Sequence, residues 1–584
     1  MSALREDYKL SAAIDFGTTY CGVMYSSKKD YDEKNPLYIF ANQNNKGDKT
    51  TSLQEPTTVL IDPQRQFHSF GLEAEKEYAR LAAKKEHEEY YYFRRFKMTL
   101  HRHVELAEYT MLEDIKGKKF RAISIFEMAI GCLKSRLLAT IKKRGYEGIG
   151  ESDIRWVITV PAIWSEAAKQ YMRDAARAAG IGDSQLLLAY EPEVASVFCK
   201  EVSVDARSTD FITALNPGQK FMVLDLGGGT VDVTLQEVLS DGSLKQLHAP
   251  SGGDWGGVGI DDAFYSLVEK LVGKDIFEEF KHQHMFEWMK FQQDFEQEKR
   301  TMTPDTSLMI QLPSHLTELH AKKSKSSLRD ITKQTSLENK VVFLENNIIE
   351  IKSSVLNDFF KQTIDSIIKH VTEILQIPTA AGLHTILLVG GFAESNIVNS
   401  KITKAFNDKK VIVPHEAGSA VLKGAVIFGH NPKSISARIS PFTYGLKTRR
   451  QFNPKEDEER KKTITKEGKA VVTTAFDKHI EIGETIYIAK ELTLHNFYVI
   501  DTNNPEVFWK VYRSSKKNPR YCDEECQNIG QLTIHLQQAI ASSGKRELGV
   551  RMVCRGTELE AIAVDKQTGY YYRVSFDFLK RMSQ

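Results

Sequence analysis

Two short segments of this chain have the residues to handle phosphate. Asp15-Phe16-Gly17-Thr18-Thr19-Tyr20 follows the apolar run Ala12-Ala13-Ile14, and Asp225-Leu226-Gly227-Gly228-Gly229-Thr230 follows Phe221-Met222-Val223-Leu224. Each reads as strand, acid, Gly/Thr turn, strand. Glycine lets backbone N–H groups come close to an anion, and such nests bind phosphate. Threonine hydroxyls add donors. An Asp at the strand end is repelled by phosphate, so its useful role is to hold Mg2+ through water, because Mg2+ dehydrates reluctantly. One Asp-x-Gly-Thr alone is more often an ordinary tight turn. Two copies are what a duplicated domain with one phosphate loop per half would leave behind, and two facing loops would clamp a di- or triphosphate.

Other chemistries lack their residues. There is no Gly-x-x-x-x-Gly-Lys-Ser/Thr loop, no strict Gly-x-Gly-x-x-Gly fingerprint and no His-Glu-x-x-His. The pairs His101/His103, His282/His284 and Cys522/Cys526 have no further ligands close by in sequence and read as surface or structural residues. A net charge of +2 gives no basic excess for nucleic acid or an anionic membrane. No apolar run of about 18 residues is present, so no membrane insertion is expected. Met1–Lys9 is polar, without the apolar core of a signal peptide. Six cysteines are too few and too scattered for a secreted disulfide framework. These features predict a cytoplasmic or nucleocytoplasmic protein.

The elements that must position the two loops follow an α/β pattern to about residue 430. Trp156–Val160 and Ile386–Val389 read as further buried strands, stopped by Pro161 and by Gly390-Gly391. Ser165 reads as the N-cap of a helix that ends at Gly180. A long amphipathic helix begins near Ser353, with Val355, Leu356, Phe359, Phe360 and Ile364 on its apolar face. Residues 313–345, rich in Lys and Ser, read as an exposed insertion. From Pro441 onward short alternating runs predict β structure, with Lys566-Gln567-Thr568-Gly569 as a hairpin turn. The charged run Lys455–Lys462 reads as a solvated loop tip.

The order of the first loop, Val160-Pro161, Tyr190-Glu191-Pro192, the second loop, Glu296-x-x-Lys299-Arg300 and Val389-Gly390-Gly391 resembles the ATPase domain of the 70-kDa heat-shock proteins. It is most similar to their divergent type-12 (12A/12B-like) branch. The resemblance covers residues 11–432 and continues through Ala563–Gly569. It implies an actin-like, two-lobed α/β ATPase domain over residues 1–432 and a β-rich domain over 441–584 without a helical lid. ATP or ADP with Mg2+ would be the ligands. Protein clients or signalling partners would engage the β domain.

Site roles follow from the same resemblance. Asp15, Asp225 and Asp232 would organise Mg2+ and the attacking water. Gly17, Thr18, Thr19 and Tyr20 would cradle the phosphates from one lobe, and Gly227, Gly228, Gly229 and Thr230 from the other. Glu191 would hold the metal-bound and hydrolytic waters. Lys97 would orient water against the γ-phosphate. Glu296, Lys299, Arg300 and Thr303 would close over the adenosine, with an arginine stacked on the purine. Gly390 and Gly391 would admit the adenosine and its α-phosphate.

The chain departs from the family pattern in several places. Phe392, Ala393 and Glu394 stand where Ser and a basic residue usual in the family follow the two glycines; His415 follows Pro414 where an Asp is usual. Gly253–Gly259 is a rearranged glycine-rich loop. The segment Gly429–Pro441 lacks the acidic, leucine-rich linker that typical members dock against the ATPase lobe, and the final Lys580–Gln584 is not an acidic tail. The expectation is a Mg-ATP-binding, slowly hydrolysing, chaperone-like protein whose β domain is not an ATP-gated peptide clamp. An ATP-dependent scaffold or signalling adaptor is the alternative, and a small-molecule kinase is disfavoured by Glu296–Arg300 and the appended β region.

Overall fold

A computed structural model of the chain describes residues 7–41, 54–102, 106–146, 148–205, 215–324, 327–333, 337–488, 492–499, 506–523, 525–536 and 546–579. Most of Met1–Lys9, His103 and the terminal Lys580–Gln584 therefore lie outside the described residues. No helix among them is long and apolar enough to cross a membrane.

Two sheets of one plan build the N-terminal part. In the first, Leu10–Phe16 pairs antiparallel with Tyr20–Ser27 and parallel with Ile154–Val160, which continues to Leu186–Tyr190. In the second, Lys220–Leu226 pairs antiparallel with Val231–Val238 and parallel with Thr385–Val389, which continues to Lys410–Ile412. Every residue of Leu10–Phe16, Ile154–Val160 and Thr385–Val389 is buried, as expected for strands covered on both faces. The loop after Asp15 and the loop after Asp225 leave equivalent strands of the two sheets.

Helices fill the faces as their periodicity requires. Glu166–Ala178 is capped by Ser165, whose hydroxyl accepts from the Ala168 N–H. Ser353–Leu375 buries Val355, Leu356, Phe359, Phe360 and Ile364 against the second sheet. Between the sheets, Glu191–Asp205 and Ala420–His430 pack on each other and share one core with Ala13, Val157, Val223 and Leu387. That core joins the two halves beneath the two loops.

Residues 313–345 are more built-in than their composition predicts. They include the helices Ser314–Lys323 and Leu328–Lys333, and Leu316 and His320 are buried in the second half's core region. Two buried side chains four apart anchor a helix even where the remaining positions are polar.

The C-terminal part is a nine-stranded antiparallel sheet around its own core of Tyr444, Leu446, Ile480, Val511, Leu532, Ile534, Leu548 and Met552. Glu558–Asp565 and Tyr571–Asp577 form the expected hairpin, with Gly569 at φ +71° in its turn.

The joining segment behaves differently from expectation. Ile435–Ile439 adds to the second sheet, parallel to Leu244–Gly253, and Thr485–Tyr487 of the C-terminal part extends that sheet by one more strand. The segment docks without acidic or leucine-rich character because its backbone supplies the ladder and Arg438 supplies the specificity. Arg438 donates to both carboxylate oxygens of Glu193 at 2.8 and 2.6 Å, and both side chains are buried. Lys169 donates to the Thr557 carbonyl at 2.6 Å, and Arg173 pairs with Glu558 through Nε at 2.7 Å. The polar face of the Glu166–Ala178 helix is thus covered by a turn of the C-terminal sheet.

Arg438→Met should destabilise the chain by about 3–5 kcal/mol, because Glu193 would keep a buried charge with no partner. Adding Glu193→Gln should restore part of that loss. Urea denaturation of the two single variants and the double variant measures both effects.

Candidate functional site

The two loops face each other across a cleft of about 1240 Å³, a figure that includes solvent at its mouth. Asp15, Gly17, Thr18, Thr19 and Tyr20 line one wall, and Asp225, Gly227, Gly228, Gly229 and Thr230 line the other. Their approach is close: a Cβ on Gly228 would lie 2.3 Å from Thr19 Oγ1. Glycine is therefore required there by space. The Gly253–Gly259 loop braces the second wall, with the Gly257 N–H donating to Gly227 O at 3.1 Å and the Val258 N–H to Gly228 O at 2.8 Å. The rearranged glycines serve the backbone of the loop, and Gly257 also reaches the cleft.

Charge at the cleft floor is unbalanced. Asp15, Asp225, Asp232 and Glu191 are all buried, and Lys97 is the buried cation among them. Lys97 Nζ donates to Glu191 Oε1 at 2.6 Å. Asp15 accepts from Thr159 Oγ1 at 2.7 Å, and Asp232 accepts from the Ile163 N–H at 3.0 Å. Asp232 pairs with Asp225 across the ladder and lies behind the cleft surface. Burial raises all four carboxyls above their usual range. Glu191 is pushed up to about 7 by burial and by Asp15 and Asp232, against the pull of Lys97. Asp225 is held well above its ordinary value by burial and then by Glu191, Asp232 and Asp15. Burial pulls Lys97 down, but Glu191 and Asp15 outweigh it and keep the ammonium charged. A divalent cation with its waters is what such a carboxylate set lacks, so the donors fit Mg2+.

The outer end of the cleft is mixed. Glu296, Lys299 and Arg300, on one helix, form its rim: Lys299 and Arg300 bond Glu296 at 2.6 and 3.0 Å, and Lys299 also bonds Asp261 at 2.6 Å. The Arg300 guanidinium lies 4.7 Å from the centroid of the Tyr20 ring, so a rim residue already bridges to the first loop. Gly390 sits at φ +87° with Leu226 O 2.5 Å from where a Cβ would be, which excludes other residues. Phe392 stands against Phe360, ring centroids 6.3 Å apart, and both line the cleft. Ser395 lines it too, and its buried hydroxyl has no hydrogen-bond partner among the described residues. Thr303 does not reach the cleft; it bonds Thr306 instead, because the helix carrying Lys299 and Arg300 ends at Thr301.

Residues 92–499 match the family model described as Hsp70 protein. The chain is 31% identical to mouse heat shock 70 kDa protein 12A over 633 aligned positions, which cover 98% of this chain and 92% of that protein. It is 31% identical to human heat shock 70 kDa protein 12A with the same coverage, and 30% identical to human heat shock 70 kDa protein 12B over 98% of this chain and 91% of that one. The chain belongs to the Hsp70 family, in its type-12 branch. Nucleotide binding in an actin-like ATPase fold goes with that membership, and ATPase domains of the family generally take ATP or ADP with Mg2+. Phe360, Phe392 and Ser395 line the Gly390 end of the cleft. Gln54, Gly418 and Val421 complete the lining. Nothing in their local sequence signals it; they reach the cleft only because the Ala420–His430 helix and the Gln54–Pro56 strand are carried there by the fold.

The raised acids make a pH prediction for the empty cleft. A carboxyl whose folded pKa exceeds its unfolded one costs nothing below the unfolded value and destabilises the fold increasingly as pH climbs toward the folded value. Asp225→Asn removes that cost. Without metal or nucleotide, the variant should be more stable than wild type by at least ~1 kcal/mol at pH 8, with a smaller gain at pH 5. Urea denaturation at the two pH values checks it.

Proposed function

We propose that this protein is a Mg-ATP-binding, slowly ATP-hydrolysing, chaperone-like member of the Hsp70 family. In this reading residues 1–432 act as the nucleotide-binding unit and residues 441–584 as the unit that engages protein clients or partners. The observation that carries the proposal is the face-to-face placement of the two Gly/Thr loops over a floor of Asp15, Glu191, Asp225 and Lys97, with buried Asp232 directly behind it.

The residues divide the work by position. Bound ATP with Mg2+ would supply the phosphoryl group and the positive charge that the floor lacks. Phosphoryl transfer needs positioning and charge neutralisation more than covalent help. The backbone N–H groups and hydroxyls of Gly17–Tyr20 and Gly227–Thr230 would bind the phosphate chain from both sides. Asp15 and Asp225 would hold the cation through water, and Asp232 behind them would add negative charge to the same spot. Glu191, near neutrality in its ionisation, is suited to orient a water and accept its proton. Lys97 keeps Glu191 in place and adds a buried positive charge at the same spot. Glu296, Lys299 and Arg300 would close over the nucleoside, and Gly390 and Gly391 would admit it, with Phe392 offering an apolar wall and Ser395 a hydroxyl.

A scaffold or adaptor with little turnover is the second reading, and one observation favours keeping it. The docking pair Arg438–Glu193 begins two residues beyond Glu191, in the first turn of the same helix. A cleft residue and a docking residue therefore move as one body. Occupancy of the cleft could set how the C-terminal sheet sits, whether or not hydrolysis is fast, provided the ligand favours one arrangement over the other.

Mg-ATP and Mg-ADP should each raise the melting temperature in a thermal-shift titration. Asp15→Asn and Asp225→Asn should each slow ATP turnover roughly tenfold or more, about 1.4 kcal/mol per decade, while weakening nucleotide binding less. Wild-type turnover in both variants would remove the assigned site. A thermal shift without measurable wild-type turnover would select the scaffold reading.

A further inference from the structure

Three metal-ligating side chains meet in the C-terminal sheet, far from the nucleotide cleft. Asp477 and His479 lie two residues apart on Ala470–Ile480, where a β-bulge against Thr443–Gln451 falls at His479. Ala470–Ile480 is next to one end of the nine-stranded sheet, and His495 opens His495–Val499, the strand at the other end. The sheet curls until these ends adjoin. His495 Nδ1 is 2.9 Å from Asp477 Oδ2, and His479 Nε2 is 3.1 Å from the same oxygen. The two imidazoles stack with centroids 4.1 Å apart. One ligand atom from each residue lies within 4.8 Å of the other two. Donors about 2.0 Å from a tetrahedral ion sit about 3.3 Å from one another, so these three are within about 1.5 Å of that spacing.

A second observation points to a ligand. The His479 side chain is fully buried; its Nε2 faces Asp477 Oδ2 at 3.1 Å without the alignment of a regular hydrogen bond, and its Nδ1 has no partner among the described residues. A buried imidazole with a poorly aligned partner at one ring nitrogen and none at the other is unfavourable, and a metal bond at Nε2 would offset that. Phe497 lies nearly parallel to the ring at 6.3 Å and packs on Trp509, closing the apolar side. Asp477 and His495 keep 28% and 25% of their side-chain surface exposed, so the opposite side is open to solvent.

We propose that Asp477, His479 and His495 form a binding site for one divalent transition-metal ion, zinc by the character of its two imidazoles and one carboxylate, which clasps the two ends of the C-terminal sheet together. Imidazole and carboxylate donors suit zinc, and the exposed side leaves a fourth position for water. The pattern is invisible to a search for short ligand spacings, because the third ligand is sixteen residues from the second and arrives from the opposite end of the sheet. Among the described residues this is the one group of three or more His, Cys, Asp or Glu that meets ligand spacing; Cys522 and Cys526 instead donate to the Ala475 and Tyr521 carbonyls.

The test uses the full chain, stripped of metal by a chelator and kept free of Mg2+ and nucleotide. Zinc titrated against a competing chromophoric chelator should fill one tight equivalent per chain and raise the melting temperature. His495→Ala and Asp477→Asn, both at half-exposed positions, should each weaken zinc binding at least tenfold and abolish the thermal gain. Cobalt(II) should give visible d–d bands without a thiolate charge-transfer band, and His495→Ala should remove them. Retention of the Mg-nucleotide thermal shift and of the far-ultraviolet spectrum shows that each variant is folded. Equal zinc affinity in wild type and both variants, a thiolate band that places the ion on cysteine, or no equivalent bound at micromolar zinc would each overturn the site.

Discussion

Lys97 is the residue on which the cleft depends. One ammonium is buried among Asp15, Glu191, Asp225 and Asp232, and it is paired to only one of them. A buried carboxylate without a partner is strongly unfavourable, so acids gathered this way rise in pKa instead of sharing the charge. The fold can hold such a set only on rigid supports. Asp15 and Asp225 therefore end fully buried strands, each fixed on both sides by a ladder, and Glu191 begins a helix locked between the two halves. The unbalanced charge of the floor is what a cation would neutralise. What is costly in the empty protein becomes a favourable interaction once charge is neutralised.

The same helix carries the cleft's influence outward. Glu191 faces Lys97, and Glu193 faces Arg438, so two buried ion pairs flank Pro192. A shift of the helix toward one pair strains the other, because both pairs are short and buried. Tyr190, just before them, donates to the Thr557 carbonyl, and Thr557 donates to the Leu188 carbonyl. The end of one buried strand thus serves the cleft, the joining segment and the C-terminal sheet together.

Much of this was legible in the residues. The strands Ala12–Ile14, Trp156–Val160, Phe221–Leu224 and Ile386–Val389 are continuous apolar runs, and the helices from Ser165 and Ser353 have a cap or a clear 3.6-residue stripe. The two Gly/Thr loops stand out because their glycines are needed where Thr18 and Thr19 crowd Gly228 and Gly229. The docking of Ile435–Ile439 was not legible. A strand added at a sheet edge is held by backbone bonds, which any side chains permit, and its buried ion pair joins residues 245 positions apart. For the same reason Thr303 was misplaced: a helix end decides whether a residue just past the rim turns inward, and Thr301 to Pro304 carries no sharp stop signal beyond the proline.

The nucleoside end shows how far a family pattern constrains a particular chain. Gly390 is required by backbone geometry, since its φ and the nearby Leu226 carbonyl leave no room for a side chain. The residues after it are not constrained in that way, and here they have changed character to Phe392, Ala393 and Glu394. Phe392 stands against Phe360 of the facing helix, Glu394 accepts from the Gly418 N–H at 3.0 Å, and the buried Ser395 hydroxyl has no hydrogen-bond partner among the described residues.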